Sequence, residues 1–145
     1  VVSEFQKNGK GQYGRKWASF KGNVFVSFFY NLKNINLSIK KLTNLNCKLV
    51  KKLLSKYYKN KIVIKAPNDL LIKGKKISGI LQEIIIKNNQ KYIIVGVGIN
   101  IIKSPYIKNY PTTNLFEITG KKINYIKLVN LLKSIFEKNF SKYYR

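Results

Sequence analysis

Residues 9–17 combine residue types that could bind a phosphate. They read Gly-Lys-Gly-Gln-Tyr-Gly-Arg-Lys-Trp, with three glycines, three cations and one indole in one short segment. Glycines let backbone N–H groups approach a phosphate without a Cβ in the way, cations neutralise its charge, and Trp17 offers a flat face to a base. We interpret this glycine-rich loop as a nucleotide-binding segment, with a solvated lysine-rich turn as the alternative.

Three later segments carry further candidate residues. Residues 65–70 read KAPNDL, where a proline ends a strand and the following turn presents an amide and a carboxylate; a local Asx turn is the alternative. Lys76 precedes Gly79 by three residues in an apolar strand, and a glycine inside a strand often marks close approach of a ligand or another backbone. Lys76 could equally be a charge that protects a sheet edge. Gly96 and Gly98 alternate in the next strand, which clears one face for a flat ligand; no helix follows, so a dinucleotide fingerprint is excluded.

Composition excludes several classes of protein and of site. The chain has no histidine and one cysteine, Cys47, which excludes a His/Cys-ligated zinc, a histidine-based triad and an internal disulfide. A single unpaired cysteine fits a protein of the reducing cytoplasm. No apolar run approaches the roughly 20 residues that span a bilayer, so we expect a soluble protein with no membrane partner. The net charge of +24 would suggest nucleic acid, but the lysines are dispersed and the composition is that of A/T-rich codons. A basic nucleic-acid-binding module therefore stays only an alternative.

Hydrophobic periodicity indicates the elements that must position these residues. It predicts amphipathic helices over 38–58 and 125–144 and strands over 1–5, 23–32, 62–65, 70–72, 77–86 and 92–101. Tight turns at 73–75 and 88–90 make successive strands antiparallel, and a loop with Pro105 and Pro111 follows. The pattern predicts one domain, residues 1–145, of α/β (α+β) class, with a mixed, mostly antiparallel sheet flanked by helices.

In their order and spacing, the four segments resemble the catalytic domain of biotin protein ligases, whose motifs read GRGRxGRxW, KWPND, K-x-x-G-I-L and G-x-G-I-N. The resemblance covers essentially the whole chain. It implies the fold related to class II aminoacyl-tRNA synthetases. It also implies an ATP-dependent ligase that forms biotinyl-AMP from biotin and ATP, with Mg²⁺ as cofactor, and then transfers biotin to a lysine of the biotin carboxyl carrier protein of a carboxylase.

The resemblance further implies which residues form the site. Lys76 and Arg15 would be catalytic: Lys76 would bridge the carboxylate of biotin and the α-phosphate, and Arg15 would meet the triphosphate. Asp69 would hold metal or orient a lysine. Residues implied to contact biotin or the adenylate are Gln6, Gly9, Lys10, Gly11, Gln12, Lys76, Gly79, Gly96 and Gly98. Residues implied to contact ATP are Arg15, Trp17, Lys65, Asn68, Asp69 and Asn100, with Trp17 stacked near the adenine.

The sequence departs from the family pattern at three positions. Lys10 replaces an arginine and loses its bidentate fork, Gln12 replaces another arginine, and Ala66 replaces a tryptophan. We therefore expect the loop to hold biotinyl-AMP less tightly than is usual in the family. The chain lacks methionine and opens in a strand, so we expect that residues once preceded Val1. The resemblance implies a catalytic core truncated at both ends, without the upstream Thr-Asn segment that contacts biotin, a DNA-binding domain or a C-terminal β-barrel.

Other interpretations stay open beside this one. A lipoate–protein ligase shares the fold and the adenylate chemistry, but its arginine-rich motif with three adjacent glycines is absent from the sequence. An inactive fragment is a further alternative, since the upstream segment carries biotin contacts. A homodimer through a sheet edge also stays open.

Overall fold

A computed structural model describes residues 1–143 and shows one six-stranded sheet with helices. The strands are β1 (Val2–Ser3), β2 (Val24–Asn31), β3 (Ile62–Lys65), β4 (Asp69–Ile72), β5 (Lys75–Lys87) and β6 (Gln90–Ile99), and the helices are α1 (Ile39–Leu54), α2 (Leu115–Thr119) and α3 (Tyr125–Ser141). The sheet order is β1-β2-β6-β5-β4-β3, and within the described residues each neighbouring pair of strands is antiparallel. The predicted fold class is confirmed.

Some element boundaries differ from the predicted ones for local reasons. β1 is short because the chain leaves the sheet after Ser3 to enter the glycine-rich loop. Helix α2 was not predicted; it is a single short segment that begins after the cap Asn114 and ends before Gly120, whose φ of 64° is left-handed. The predicted end of the last helix, Tyr144, lies outside the described residues.

The long helices α1 and α3 pack on the same face of the sheet. Phe28 of β2 stacks on Phe136 of α3 at 4.2 Å between ring centroids, and the apolar side of α1 is buried in the same core. Because successive side chains of a strand point to opposite faces, Gly96 and Gly98 face away from these helices. The second face of the sheet is thereby available for a site. No helix within residues 1–143 has the length and apolarity needed to cross a membrane.

The segment after β6 folds back across the sheet to β5. At its start, the side-chain oxygen of Asn23 accepts hydrogen bonds from the backbone N–H groups of Ile101 at 2.9 Å and Ile102 at 3.0 Å. Residues 105–113, called the return loop here, then run beside Lys76, whose N–H donates to the Pro111 carbonyl at 2.8 Å. This path sets the position of Lys76 from outside its own strand.

Candidate active site

A cleft of about 1360 Å³ opens on the sheet face that the long helices leave uncovered. The glycine-rich loop forms one wall, the turn at 65–69 a second, and the return loop a third. The predicted site residues line this cleft with the exception of Gly9, which is not one of the lining residues. Pockets for one small molecule commonly have about 300–1,000 Å³, so this cleft has room for more than one ligand.

The glycine-rich loop is folded as a small hairpin. The N–H of Trp17 donates to the carbonyl of Gly9 at 2.8 Å, and the N–H of Gly11 donates to the carbonyl of Arg15 at 2.7 Å. The tip carries Tyr13, which is 89% exposed. A Cβ at position 9 would lie 2.6 Å from the Trp17 carbonyl oxygen, so the pairing of the two hairpin arms requires glycine there.

The indole of Trp17 lies on the glycines of the sheet. A Cβ at Gly98 would lie 2.5 Å from the indole Cζ2, and a Cβ at Gly79 would lie 2.8 Å from Cζ3. The indole Nε1 is buried and has no hydrogen-bond partner within the described residues. Gly96 differs, because the atom nearest to a Cβ at that position would be the Leu81 carbonyl oxygen, at an ordinary 3.6 Å. The close approach that the strand glycines indicated is therefore made by the chain's own tryptophan at Gly79 and Gly98.

Lys76 points into the cleft and pairs with a carboxylate. Its Nζ lies 3.0 Å from Oδ1 of Asp69, and the two side chains are 14% and 17% exposed. The same Nζ lies 5.1 Å from the centre of the Trp17 ring, within cation–π range. The segment 65–70, the strand that carries Lys76 and the glycine-rich loop therefore meet at the ammonium group of Lys76.

Sequence reasoning missed Tyr110, which completes this cluster. Its hydroxyl donates to Oδ2 of Asp69 at 2.6 Å, and its ring lies under Nζ of Lys65 at 4.4 Å and Nζ of Lys76 at 5.5 Å. Burial, then the hydrogen bond and negative charge of Asp69, raise the pKa of Tyr110 above its ordinary value. Its position in a proline-containing loop gave no signal, since the contact depends on where the return loop crosses the sheet.

Two predicted nucleotide-binding residues support the walls of the cleft. The side-chain amide of Asn68 donates to the Ile80 carbonyl at 2.7 Å, and that of Asn100 donates to the Thr113 carbonyl at 3.1 Å. Asn100 is 2% exposed. Both amides therefore tie neighbouring segments of backbone together around the cleft.

The residues present do not fit a metal ion held by protein side chains. Each carboxylate oxygen of Asp69 already has a partner, Lys76 on one side and Tyr110 on the other. Residues 1–143 contain no group of three or more His, Cys, Asp or Glu side chains that could hold a metal ion. We assign no metal ligand to Asp69; its contact with Lys76 matches the other predicted role, orienting a lysine.

Positive charge dominates the lining of the cleft. Its cations come from all three walls, whereas its described carboxylates are those of Asp69 and Glu83. The cations that line it are Lys7, Lys10, Arg15, Lys16, Lys65, Lys76 and Lys108. Such a cleft attracts a polyanion such as a triphosphate and stabilises negative charge that develops on it.

Comparisons with known proteins agree with this geometry. The model of the biotin/lipoate A/B protein ligase family matches residues 1–100. The bifunctional ligase/repressor BirA of Escherichia coli is 33% identical over 102 residues, which cover 69% of this chain and 32% of that protein. BirA of Bacillus subtilis is 30% identical over 151 aligned residues, covering 99% of this chain and 46% of its own length. The chain thus spans between a third and a half of these curated relatives.

Solved structures show the same architecture. Biotin protein ligase from Aquifex aeolicus, in complex with biotin and ATP, superimposes with a TM-score of 0.83 at 29% identity, covering 98% of this chain and 60% of that one. The region that the family model matches contains the glycine-rich hairpin, the sheet that carries Lys76, and the glycine floor formed by Gly79, Gly96 and Gly98. The chain belongs to the biotin/lipoate A/B protein ligase family.

Proposed function

We propose that residues 1–145 form the catalytic domain of a biotin protein ligase, which makes biotinyl-AMP from biotin and ATP and transfers biotin to a lysine of a carrier protein. One observation carries the proposal: the ammonium of Lys76 lies in the cleft between the glycine floor and the cationic hairpin. The hairpin cations Lys10, Arg15 and Lys16 line the same cleft, so a triphosphate would be attracted to the side where they lie.

The first step needs charge stabilisation and no enzyme nucleophile. An oxygen of the biotin carboxylate attacks the α-phosphorus of ATP, the bond to the bridging oxygen breaks, and pyrophosphate leaves with the electron pair. Lys76 would contact both the carboxylate and the α-phosphate, which lowers their mutual repulsion and stabilises the transition state. Arg15 and Lys65 would receive the phosphates that leave, and Gln6, Lys10 and Gln12 would border the adenylate.

The second step needs protection of the mixed anhydride from water. The neutral amine of the acceptor lysine attacks the acyl carbon and loses a proton to solvent. The bond between the acyl carbon and the phosphate oxygen breaks, AMP leaves with the electron pair, and an amide forms. Enclosure by the hairpin would shield the anhydride until the acceptor arrives. We infer that the acceptor is the biotin carboxyl carrier domain of a carboxylase.

Exchange of labelled pyrophosphate into ATP tests the proposal. We expect exchange that depends on biotin and is absent with lipoate, together with transfer of biotin to a carrier domain on a streptavidin blot. Exchange with lipoate alone would support the lipoate branch of the family instead. Loss of exchange with both acids, combined with retention of the chain on immobilised polynucleotide, would favour the nucleic-acid-binding module.

A further inference from the structure

Tyr110 contacts the reacting region through two different parts of its side chain. Its hydroxyl donates to Oδ2 of Asp69, while Oδ1 of the same carboxylate pairs with Lys76 at 3.0 Å. Its ring lies 4.4 Å from Nζ of Lys65 and 5.5 Å from Nζ of Lys76. Tyr110 therefore contacts both the anion and the two cations of this cluster.

The return loop also holds the backbone of Lys76. The N–H of Lys76 donates to the Pro111 carbonyl, and its carbonyl accepts from the N–H of Thr113, each at 2.8 Å. Pro111 directly follows Tyr110 in the chain. The same few residues thus fix the backbone of Lys76 and, through Asp69, the end of its side chain.

Two ammonium groups near one ring repel each other, so their placement needs a compensating anion. Asp69 supplies it, but a carboxylate with one partner can rotate about its last torsion. The tyrosine hydroxyl binds the second oxygen and keeps Oδ1 directed at Nζ of Lys76. Because the hydroxyl stays protonated at neutral pH, it acts as a donor and adds no further charge.

We propose that Tyr110 is a positioning residue for adenylate formation: it fixes the carboxylate of Asp69, which holds the ammonium of Lys76 where the biotin carboxylate and the α-phosphate meet. This inference rests on the function proposed above. It assigns a role to the return loop, which carries no residue of the four recognised motifs.

Chemical labelling tests the positioning directly and needs no enzyme activity. The full chain is treated with a trace of acetic anhydride, and the relative acetylation rate of each lysine is read by mass spectrometry. In Y110F, which keeps the ring and loses the hydroxyl, the rate at Lys76 should rise severalfold. Lys133, in an exposed ion pair with Glu137, serves as the internal reference and should not change.

The matched control is Y92F. Tyr92 also donates its hydroxyl to a side-chain oxygen, that of Gln90 at 2.9 Å, but it lies six residues along β6 from Gly98, about 20 Å away. This variant should leave the labelling of Lys76 unchanged. Equal rates at Lys76 in Y110F and the wild type would overturn the inference.

Kinetics then connect the position of Lys76 to the reaction. In the exchange assay Y110F should lower kcat by about tenfold, the effect of one hydrogen bond to a charged group, with little change in KM for biotin or ATP. In the D69N background the same substitution should have little further effect, because Tyr110 acts through Asp69. A purely structural role would instead multiply the two losses and lower the unfolding temperature of Y110F.

The outcomes separate the inference from the function on which it rests. An inactive wild type in which Y110F still exposes Lys76 to labelling would contradict the proposed function and support the positioning role. An active wild type whose kcat is unaffected by Y110F would overturn the role of Tyr110 and leave the function intact.

Discussion

The cations of the cleft are held in two different ways. Lys76, on β5, has a carboxylate partner at 3.0 Å, two aromatic rings within cation–π range and backbone hydrogen bonds to the return loop. Arg15, on the glycine-rich hairpin, is exposed, and neither of the two ion pairs found within residues 1–143 includes a cation of that hairpin. One charge is fixed by the fold, and the other is free to meet a ligand.

This difference assigns different work to the two regions. A charge that is already oriented stabilises the transition state without reorganising during the reaction, so it acts on kcat. A charge on an exposed hairpin must first be ordered by the ligand, so it acts mainly on binding. We therefore expect removal of the sheet cation Lys76 to affect the chemical step and removal of a hairpin cation to affect affinity.

The largest expected effect is that of K76Q. Removal of the oriented ammonium should lower kcat for biotin-dependent exchange by about a hundredfold to a thousandfold, the usual loss for one stabilising donor at a developing charge. Steady-state kinetics at saturating biotin and ATP measure it. The control is K75Q, since Lys75 is the exposed neighbour and does not line the cleft. A K76Q variant with wild-type kcat would show that the fixed cation is not used.

The second largest expected effect is that of G98A, which fills the space into which the Trp17 indole packs. The new Cβ would lie 2.5 Å from Trp17, so the ring must move, at a cost of about 1–3 kcal/mol for an overpacked site. Trp17 is the single tryptophan of the chain, so a shift in its fluorescence reports the movement directly. The apparent affinity for biotin should fall about tenfold or more.

G96A is the matched control for the fluorescence measurement. Its Cβ would meet the Leu81 carbonyl oxygen at 3.6 Å, an ordinary contact, so the indole should stay in place. Identical emission spectra for G98A and the wild type would contradict the close packing of the Trp17 indole on Gly98.

The sequence predicted the strands that carry Lys76 and the glycines better than it predicted the contacts that hold Lys76 in place. Strand periodicity located β2, β5 and β6 to within about two residues, and motif order identified Lys76 and the glycines. Tyr110 could not be found in this way, because its partner Asp69 is 41 positions away and the contact exists only once the return loop has crossed β5. Local patterns do not encode such a long-range meeting.

The hairpin shows the opposite limit. Its glycines and cations predicted a ligand-binding segment, but composition does not say where such a segment lies on the sheet. Trp17 lies on Gly79 and Gly98 because the two arms of the hairpin pair with each other. The sequence shows the glycines that allow this pairing, but not the pairing itself. The adenine-stacking role predicted for Trp17 stays a prediction.

R15Q tests whether the hairpin acts through binding. The variant should raise KM for ATP about tenfold, the loss of one charge-assisted contact to phosphate, while kcat changes little. The comparison with K76Q uses the same assay and the same type of substitution. A loss of kcat in R15Q as large as that in K76Q would remove the distinction between the two regions.

The smallest expected effect comes from restoring a cation to the hairpin. Gln12 borders the cleft at the start of the hairpin turn. In Q12R the dissociation of biotinyl-AMP should slow by about threefold to fivefold, because an added charge at a partly exposed site contributes up to about 1 kcal/mol. Dissociation is followed by trapping released adenylate after rapid dilution.

Two variants serve as controls for Q12R. Q12K should slow release less, since it adds charge without the bidentate fork. N60R places the same charge on an exposed turn outside the cleft and should not slow release at all. Equal release rates in Q12R and the wild type would mean that retention of the intermediate depends on the sheet and not on the charge of the hairpin.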